Sequence, residues 1–353
     1  MLRYLEIKNQ LLALTDKMQP GEKLMDRCSL CKILDTTRTT LDKAIRELVD
    51  QGILVSQKGS GTYIASSLIN PVKGTINWCV MVPNFESIYA KLVSGIENVA
   101  QKYNINVILC CSNSDLSRQE QYIHRLLTSG ADGFIIVPVI TSTPQESIPL
   151  YNQLVSSTIP FVFCNRSIEG ISVPVITSND FYGGYIATKH LLERGYRKVA
   201  YVAHRKYKTS VDRCQGYLSA LQEKDIEIDR KIIYMPNSTD AVDCKSAVVS
   251  MLKQNKIDSV FCFNDSVAIK VIEALQEEGK RVSHDIGVIG YDNTEVANGA
   301  SLSSVSYRTN EIGQKAAEVL YSMLIGEKPS SGFDYYLFKP EIIDRSSCLG
   351  KSK

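Results

Sequence analysis

The sequence predicts a small α+β domain of three helices and a hairpin, followed by a larger two-lobed α/β domain. Residues 1–67 show helical hydrophobic spacing and then two short apolar runs separated by a Gly-rich turn. From residue 76 onward, apolar strand-like runs alternate with helical patterns, which is typical of parallel sheets covered by helices. With 353 residues, the chain is long enough for two or three domains.

The small domain is predicted to contain a helix, a helix-turn-helix and a hairpin. The first helix ends at a Pro-Gly pair, and Asp26 begins the second because its carboxylate accepts the free backbone N–H groups of a helix start. Asp35-Thr36-Thr37 forms the turn, and the third helix ends near Gly52. Strands are predicted at 53–55 and 62–64. The core-facing stripe of the third helix is Leu41, Ile45, Leu48 and Val49.

The start of the third helix carries short hydrogen-bond donors and cations. Such side chains at the start of the second helix of a helix-turn-helix pair contact base edges and phosphates in the major groove. A cation in the hairpin turn suits a narrow minor groove. This order predicts a winged helix-turn-helix that binds double-stranded operator DNA. The candidate DNA-binding residues are Arg27, Thr37, Arg38, Thr39, Thr40, Lys43, Lys58, Gly59 and Ser60.

Residues 1–66 resemble the GntR family of bacterial transcription regulators. The segments that carry the resemblance are Thr37-Arg38-Thr39-Thr40-Leu41, Gly59-Ser60-Gly61-Thr62, and residues 20–24, 44–48 and 52–54. The resemblance implies DNA contacts from Arg38, Thr39 and Thr40, and a wing tip formed by Lys58 and Gly59.

Two positions depart from the GntR pattern. Cys28 stands where the family usually has a phosphate-contacting Arg, and Arg27 lies one residue earlier. Asp42 stands where a basic residue is frequent. An acidic side chain there repels phosphate but can accept a hydrogen bond from cytosine N4, so the operator sequence cannot be taken from relatives.

Charge is nearly balanced along the chain. Residues 1–67 contain 10 Lys and Arg against 8 Asp and Glu, and the remaining residues contain 30 against 30. DNA affinity is therefore expected to depend on placed contacts and dimerisation more than on a general basic field. Charged side chains occur within residues 1–10, which does not suit a secretory signal. No apolar run approaches the roughly 18 residues of a membrane span. We expect a cytoplasmic protein with no membrane partner.

Ten cysteines in a cytoplasmic chain predict reduced, buried side chains that act as small apolar residues. Cys28 and Cys31 have CxxC spacing, but they lie on a predicted helix, and residues 1–67 offer no second Cys or His pair to complete a zinc site. We expect packing rather than the alternative of metal or redox use. No metal and no cofactor are predicted.

A polar stretch at 68–75, which contains Pro71 and Gly74, predicts a linker between domains at 1–67 and 76–348. The strand and helix patterns beyond it are too many for one small sheet, so two doubly wound lobes are predicted. The predicted strands are 76–82, 106–110, 133–137, 161–164, 198–202, 231–234, 259–263 and 286–291. The predicted helices are 90–103, 119–128, 182–194, 213–224, 241–254 and 266–278.

Polar residues follow the predicted strands, where open sheets of this kind bind ligands. Amide, carboxylate and guanidinium groups present paired donors and acceptors that suit the vicinal hydroxyls of a sugar. The alternative for any one of them is a turn or a helix cap. The candidate ligand-binding residues at these positions are Asn84, Tyr89, Asn113, Asn165, Arg166, Arg213, Asn264 and Asp292.

Residues 76–348 resemble the effector domain of the LacI family, which is related to type I periplasmic sugar-binding proteins. The resemblance implies a two-lobed periplasmic-binding-protein type I fold in which Arg213, Asn264 and Asp292 hold ligand hydroxyls and the Asn165–Arg166 region closes the site. It also implies three chain crossings between lobes, so residues near 301–325 are expected to return to the first lobe. This return makes Tyr307 a ninth candidate ligand-binding residue at the cleft. The segments that carry it are 130–136, 178–184, 195–202, 213–217, 263–268, 285–292 and 340–347.

A GntR-like domain joined to a LacI-like sensor is similar in layout to the arabinose-type repressors of Gram-positive bacteria. The prediction is a transcription regulator, by default a repressor, that binds DNA as a homodimer and is released or altered by a small carbohydrate. The alternatives are a non-sugar effector, an acidic or phosphorylated sugar favoured by the cations at 204–208, and an enzyme fused to a DNA-binding domain. GxGxxG, P-loop, HExxH and GxSxG motifs are absent, which argues against the enzyme.

Overall fold

The chain divides into two compact units in the computed structural model. The smaller unit contains Met1–Ile76 together with Tyr103–Asn106, and the larger contains Asn77–Lys102 and Val107–Lys353. The predicted linker at 68–75 lies outside the described residues. The described residues are 2–15, 18, 21–50, 53–57, 60–64, 76–141, 144–157, 159–203, 208–236, 243–254, 257–328 and 334–350.

Helices and a hairpin form the smaller unit, as the sequence predicts. Helices α1, α2 and α3 span Leu2–Thr15, Arg27–Ile33 and Arg38–Asp50, and strands β1 and β2 span Leu54–Gln57 and Gly61–Ile64. Apolar side chains from all five elements share one core. The winged helix-turn-helix fold is thereby confirmed.

Local signals in the sequence explain where these elements begin and pair. The Asp26 side chain caps α2 by accepting hydrogen bonds from the backbone N–H groups of Cys28 at 2.9 Å and Ser29 at 3.0 Å. Strands β1 and β2 are antiparallel, with Leu54 opposite Ile64. This register places both apolar side chains in the core.

The larger unit alternates strands with helices. Its strands are β3 Asn77–Val82, β4 Asn106–Cys111, β5 Gly133–Ile136, β6 Phe161–Cys164, β7 Val175–Ser178, β8 Val199–Val202, β9 Ile233–Tyr234, β10 Ser259–Cys262, β11 Gly287–Tyr291, β12 Ser303–Ser306, β13 Tyr335–Phe338 and β14 Glu341–Ile343. Its helices are α4 Ser87–Lys102, α5 Leu116–Thr128, α6 Ile148–Ser156, α7 Asp180–Glu193, α8 Lys208–Glu223, α9 Cys244–Lys253, α10 Asp265–Glu277, α11 Glu295–Gly299 and α12 Thr309–Leu324. Short 3-10 turns lie at Pro144–Glu146, Arg230–Ile232 and Ser346–Cys348.

Two six-stranded sheets define the two lobes in the described part of this unit. The first sheet has the order β13-β7-β6-β5-β3-β4, and the second has the order β14-β12-β11-β10-β8-β9. In the second sheet, β14 pairs antiparallel with β12, whereas β8, β10, β11 and β12 are parallel. Helix α12 packs on α4 in the first lobe, and α7 packs on α8 in the second. The predicted two-lobed α/β architecture is confirmed.

The chain crosses between the lobes three times: between β7 and α7, between β12 and α12, and between β13 and β14. The predicted return of residues 301–325 to the first lobe is partly wrong. Strand β12 pairs with β11 in the second lobe, and only α12 returns. Pairing with β12 provides hydrogen-bond partners for backbone N–H and C=O groups along one edge of β11, which would otherwise be exposed.

Side-chain burial supports the expectation for the cysteines. All ten are free thiols, and seven of them are buried. Cys28 is exposed, while Cys31 and Cys111 are half-buried. In the part of the chain that the structure describes, no helix is long and apolar enough to cross a membrane.

Candidate functional site

A polar cavity, here called the effector cavity, lies between the two lobes at the carboxyl ends of their strands. Its volume is about 200 Å³. Ligands of open α/β sheets bind at this position. The lining residues are Asn84, Glu86, Ile88, Tyr89, Ser114, Asn165, Arg166, Thr209, Arg213, Phe263, Asn264, Asp292 and Tyr307.

Eight of the nine ligand-binding residues predicted from the sequence line the effector cavity. The exception is Asn113, an exposed residue with a φ of 52° whose side chain accepts a hydrogen bond from the Cys111 thiol. Its neighbour Ser114 lines the cavity instead. The binding role of all nine stays a prediction. Sequence reasoning missed Glu86, Ile88, Ser114, Thr209 and Phe263, most of which lie within two residues of a predicted one.

Arg213 is the fixed cation of the effector cavity. Its side chain is 6% exposed, and its Nε donates to Asp180 Oδ1 at 2.8 Å. Its Nη1 donates to the Phe263 carbonyl at 2.6 Å, and its guanidinium lies 3.4 Å from the Tyr291 ring centroid. Although burial opposes the charge, the Asp180 carboxylate holds the pKa of Arg213 well above its ordinary value. The orientation of the Arg213 guanidinium group is therefore fixed before a ligand binds.

Two glycines on α7 allow this arrangement. A Cβ atom on Gly184 would lie 2.0 Å from the Arg213 carbonyl oxygen, and one on Gly183 would lie 2.2 Å from the Tyr291 hydroxyl. Neither distance leaves room for a side chain, so Gly184 lets the backbones of α7 and α8 approach each other and Gly183 admits the Tyr291 side chain of β11. This close packing places Asp180 and Arg213 side by side.

Asp292 lies opposite Arg213, with 4.0 Å between its Oδ1 and Arg213 Nη1. Burial raises the pKa of Asp292 to about 8, and the charge of Arg213 only partly offsets this. Burial therefore favours the protonated form of this carboxyl group. A ligand whose hydroxyl groups donate hydrogen bonds to it favours the ionised form.

Asp292→Asn should reduce the dependence of folding stability on pH. Because the pKa of Asp292 rises from 3.8 to about 8 on folding, the native state holds a proton that the unfolded chain has already released between those values. The free energy of unfolding contributed by this group therefore falls as pH rises through this window. Urea unfolding of both proteins across the window should show the variant gaining on the wild type with rising pH. Parallel pH profiles would contradict the assignment.

Asn84 and Asn264 use their side-chain oxygens to hold the backbone. Asn264 Oδ1 accepts from the Val267 N–H at 2.9 Å and caps α10, while Asn84 Oδ1 accepts from the Glu86 N–H at 3.0 Å. The turn and capping roles considered as the alternative are thus both present. They leave a ligand role open, because each amide also carries an NH₂ group that can donate to a ligand.

Arg166 and Tyr89 form one wall of the effector cavity. Arg166 Nη2 donates to the Tyr89 hydroxyl at 3.1 Å. Burial raises the pKa of Tyr89 and Arg166 opposes the rise, so the hydroxyl stays protonated and can donate. Asn165, whose φ is 63°, makes the turn that follows β6 and precedes Arg166.

A second cavity, of about 180 Å³, shares Asn165, Arg166 and Thr209 with the effector cavity. Its other walls include Phe181 and Leu337, which are 43% and 56% exposed. The effector cavity, by contrast, gathers the amides, the carboxyl and the guanidinium that match hydroxyl groups. It is the stronger candidate for a polyol.

The start of α3 and the turn before it present what we call the DNA-binding face, formed by Thr37, Arg38, Thr39, Thr40 and Lys43. The Arg38 side chain is 75% exposed, and Thr37, Thr39 and Lys43 are exposed. The hydroxyls of Thr37 and Thr40 lie 2.9 Å apart. A cation and several hydroxyls at a helix N-terminus suit both phosphates and base edges.

The other predicted DNA contacts are placed less uniformly. Ser60 is exposed at the wing, whereas Lys58 and Gly59 lie outside the described residues. Arg27 is 26% exposed, and its Nε donates to Asp42 Oδ1 at 2.9 Å. Arg27 is therefore engaged within the unit, and its contact with DNA stays a prediction.

Only one cluster of three potential metal ligands occurs among the described residues: His190, Asp344 and Cys348, whose ligand atoms lie within 4.8 Å of one another. Arg194 ion-pairs with Asp344 and donates to His190 Nδ1 at 2.9 Å. Burial and the Arg194 charge lower the pKa of His190. A guanidinium already supplies the positive charge here, so we interpret the cluster as a link between α7 and the C-terminal turn.

Comparison with known proteins identifies the larger unit. Residues 76–332 match the sequence model of the periplasmic binding proteins and sugar binding domain of the LacI family. The chain belongs to this family. Residues 4–64 match the model of bacterial regulatory proteins of the gntR family. Both resemblances drawn from the sequence are confirmed.

Relatives of this LacI-type chain are transcription regulators. It is 24% identical to the arabinose metabolism transcriptional repressor of Geobacillus stearothermophilus over 98% of this chain and 97% of that protein. It is 28% identical to the HTH-type transcriptional repressor PurR of Vibrio atlanticus (strain LGP32) over 89% of this chain and 90% of that protein. A LacI family transcriptional regulator from Enterococcus faecium with bound ribose has a TM-score of 0.63 at 25% identity, over 77% of this chain and 98% of that chain. The chain is accordingly a DNA-binding transcription regulator.

Proposed function

We propose that this LacI-type regulator binds operator DNA as a homodimer and that a neutral carbohydrate in the effector cavity weakens that binding. The observation that carries the proposal is the cavity wall, where Arg213, Asp292 and Asn264 converge. Their donors and acceptors match the adjacent hydroxyls of a sugar. The relatives named for arabinose and crystallised with ribose support the same class of effector.

An uncharged sugar fits the charges of the cavity better than an acidic one. Arg213 is paired with the carboxylate of Asp180, and Arg166 lines the same cavity as the carboxylate of Glu86. No excess positive charge among these described residues calls for an anionic ligand. The cations at 204–207, which favoured the acidic alternative, lie outside the described residues, and Lys208 pairs with Asp212 at 2.8 Å.

Closure of the two lobes is the mechanism that we infer. Asn84 and Tyr89 belong to the first lobe, and Arg213, Asn264 and Asp292 belong to the second. A ligand that bridges both sets stabilises a closed arrangement about the three crossings, which act as the hinge. In a dimer this closure changes the spacing of the two recognition helices.

Strand β4 supports association with a second copy. It is an edge strand of the first sheet, and its Ile108 and Leu109 side chains are 38% and 42% exposed. An exposed apolar edge is a site where another chain can pair. Because the related proteins are named repressors, we assign repression relieved by the sugar, exerted in the bacterial cytoplasm where operator DNA lies.

Thermal unfolding against neutral, acidic and phosphorylated pentoses and hexoses tests the effector assignment, because a ligand of the native state raises stability by RT ln(1 + [L]/Kd). We expect a neutral sugar to raise the Tm. Asn264→Asp keeps the cap of α10 but exchanges an NH₂ donor for an acceptor, so it should abolish the shift.

Asn179→Asp is the matched control, since Asn179 caps α7 through Tyr182 N–H at 3.0 Å and lies outside the effector cavity. This control should keep the sugar-induced shift. A shift with acidic sugars alone, or a shift that survives Asn264→Asp, would contradict the proposal.

A further inference from the structure

Asp42 occupies an unexpected place for an acidic residue, one turn after Arg38 on α3. Each of its two carboxylate oxygens lies beside a different arginine. Oδ1 accepts from Arg27 Nε at 2.9 Å, and Oδ2 lies 3.8 Å from Arg38 Nε. Asp42 therefore joins α2 to α3 through a hydrogen bond, and it lies within ion-pair distance of Arg38 on the DNA-binding face.

The same network continues into the wing. Arg27 Nη2 donates to Thr62 Oγ1 at 3.0 Å, and Thr62 Oγ1 lies 3.2 Å from Ser56 Oγ on the paired strand. Thr62 is 4% exposed, so this anchor is fixed in the hairpin. A chain of polar contacts thus runs from Arg38 through Asp42 and Arg27 to β2 and β1.

Folding stability does not account for the pairing of Asp42 with Arg38. The Asp42 and Arg38 side chains are 43% and 75% exposed, and ion pairs at that exposure contribute little to stability. A negative charge beside the DNA-binding face also weakens attraction to phosphate. Asp42 instead restrains the orientation of the Arg38 side chain. Arg38 is otherwise flexible, and it lies where a recognition helix contacts base edges.

We propose that Asp42 is a positioning residue for operator recognition, which orients Arg38 and keeps the recognition helix and the wing in one arrangement through Arg27. The inference rests on the proposed function of α3 as the recognition helix. Asp42 would then affect general affinity for DNA and sequence discrimination in opposite ways. Asp42 lowers affinity for DNA in general and raises discrimination between operator and other sequences.

Asp42→Asn removes the charge and both ion pairs while keeping the size of the side chain. Loss of a negative charge should tighten binding to any duplex and increase the salt dependence of binding. Loss of orientation should weaken the contact that depends on base identity. The variant should therefore bind a scrambled duplex more tightly than the wild type does, while its operator-to-scrambled affinity ratio falls at least about tenfold.

Glu47→Gln is the matched control. Glu47 lies on the same helix and pairs with Lys8 at 3.1 Å, so this variant removes an equal charge without touching Arg27 or Arg38. Its affinity ratio should stay at the wild-type value. Arg27→Lys keeps the charge but cannot hold Asp42 and Thr62 at once, so its ratio should fall between those of wild type and Asp42→Asn.

The experiment begins with selection of an operator from a random duplex library by the full-length wild type. Fluorescence anisotropy then gives the dissociation constants for operator and scrambled duplex at several salt concentrations, and Tm values confirm that each variant is folded. An unchanged ratio in Asp42→Asn, or an equal fall in Glu47→Gln, would overturn the positioning role. Failure of the wild type to select any sequence would instead overturn the proposed function.

Discussion

Arg213→Ala should lower the free energy of unfolding by about 3–5 kcal/mol and abolish effector binding. The substitution leaves the Asp180 carboxylate, 7% exposed, without the partner that holds it at 2.8 Å. It also removes the donor that satisfies the Phe263 carbonyl. A loss of this size is a large part of the roughly 5–15 kcal/mol of a typical domain. Urea denaturation measures it, with calorimetry for the effector.

Adding Asp180→Asn separates the stability effect from the binding effect. In the double variant, no buried carboxylate is left without a partner at position 180, so much of the lost stability should return. Effector binding should not return, because the cation of the cavity is still missing. Operator binding should persist in the double variant. Wild-type effector affinity in either variant would show that the cavity is not the effector site.

Arg38→Ala should leave the protein as stable as the wild type and remove specific operator binding. The Arg38 side chain is 75% exposed and has only a 3.8 Å pairing with Asp42 to lose. A base contact by arginine is worth about 1–3 kcal/mol. Two such contacts in a dimer correspond to roughly 30-fold to roughly 10⁴-fold in affinity. Effector binding should be unchanged.

Arg46→Ala is the control for Arg38→Ala. Arg46 is exposed on the same helix, eight residues further along. Its loss removes an equal charge, and we expect a modest, sequence-independent weakening of DNA binding. Equal effects of the two substitutions on the operator would contradict the assignment of Arg38 as a base-reading residue.

Elements whose cause is local could be predicted from the sequence. The spacing of Leu41, Ile45 and Leu48 identified the buried face of α3, and all three are at most 2% exposed. Asp26 capped α2 as its chemistry requires. Polar residues after strands gathered at the effector cavity because parallel strands end at one edge of a sheet.

Features that depend on distances across the fold could not be predicted. Nothing near Arg27 in the sequence shows that it faces Asp42, fifteen residues later. The need for glycine at Gly183 and Gly184 arises from Tyr291 and Arg213, which other elements bring close. Strand β12 likewise pairs with β11 because β11 lies at an edge of the second sheet that is open to pairing. No signal within β12 itself predicts this pairing.

The proposed function requires that the effector cavity and the DNA-binding face are coupled. Such coupling is a free energy shared by the two sites, typically about 1–3 kcal/mol, and it acts equally in both directions. If a sugar that stabilises closure of the lobes weakens operator binding, operator must weaken sugar binding by the same factor.

The most direct test measures operator affinity of the full-length protein with and without saturating arabinose or ribose, whichever gives the larger thermal shift. We expect a fall of roughly 5-fold to 150-fold in operator affinity. The same sugar should have no effect on operator binding by Asn264→Asp. Equal operator affinity with and without a sugar that occupies the cavity would show that the two sites are not coupled.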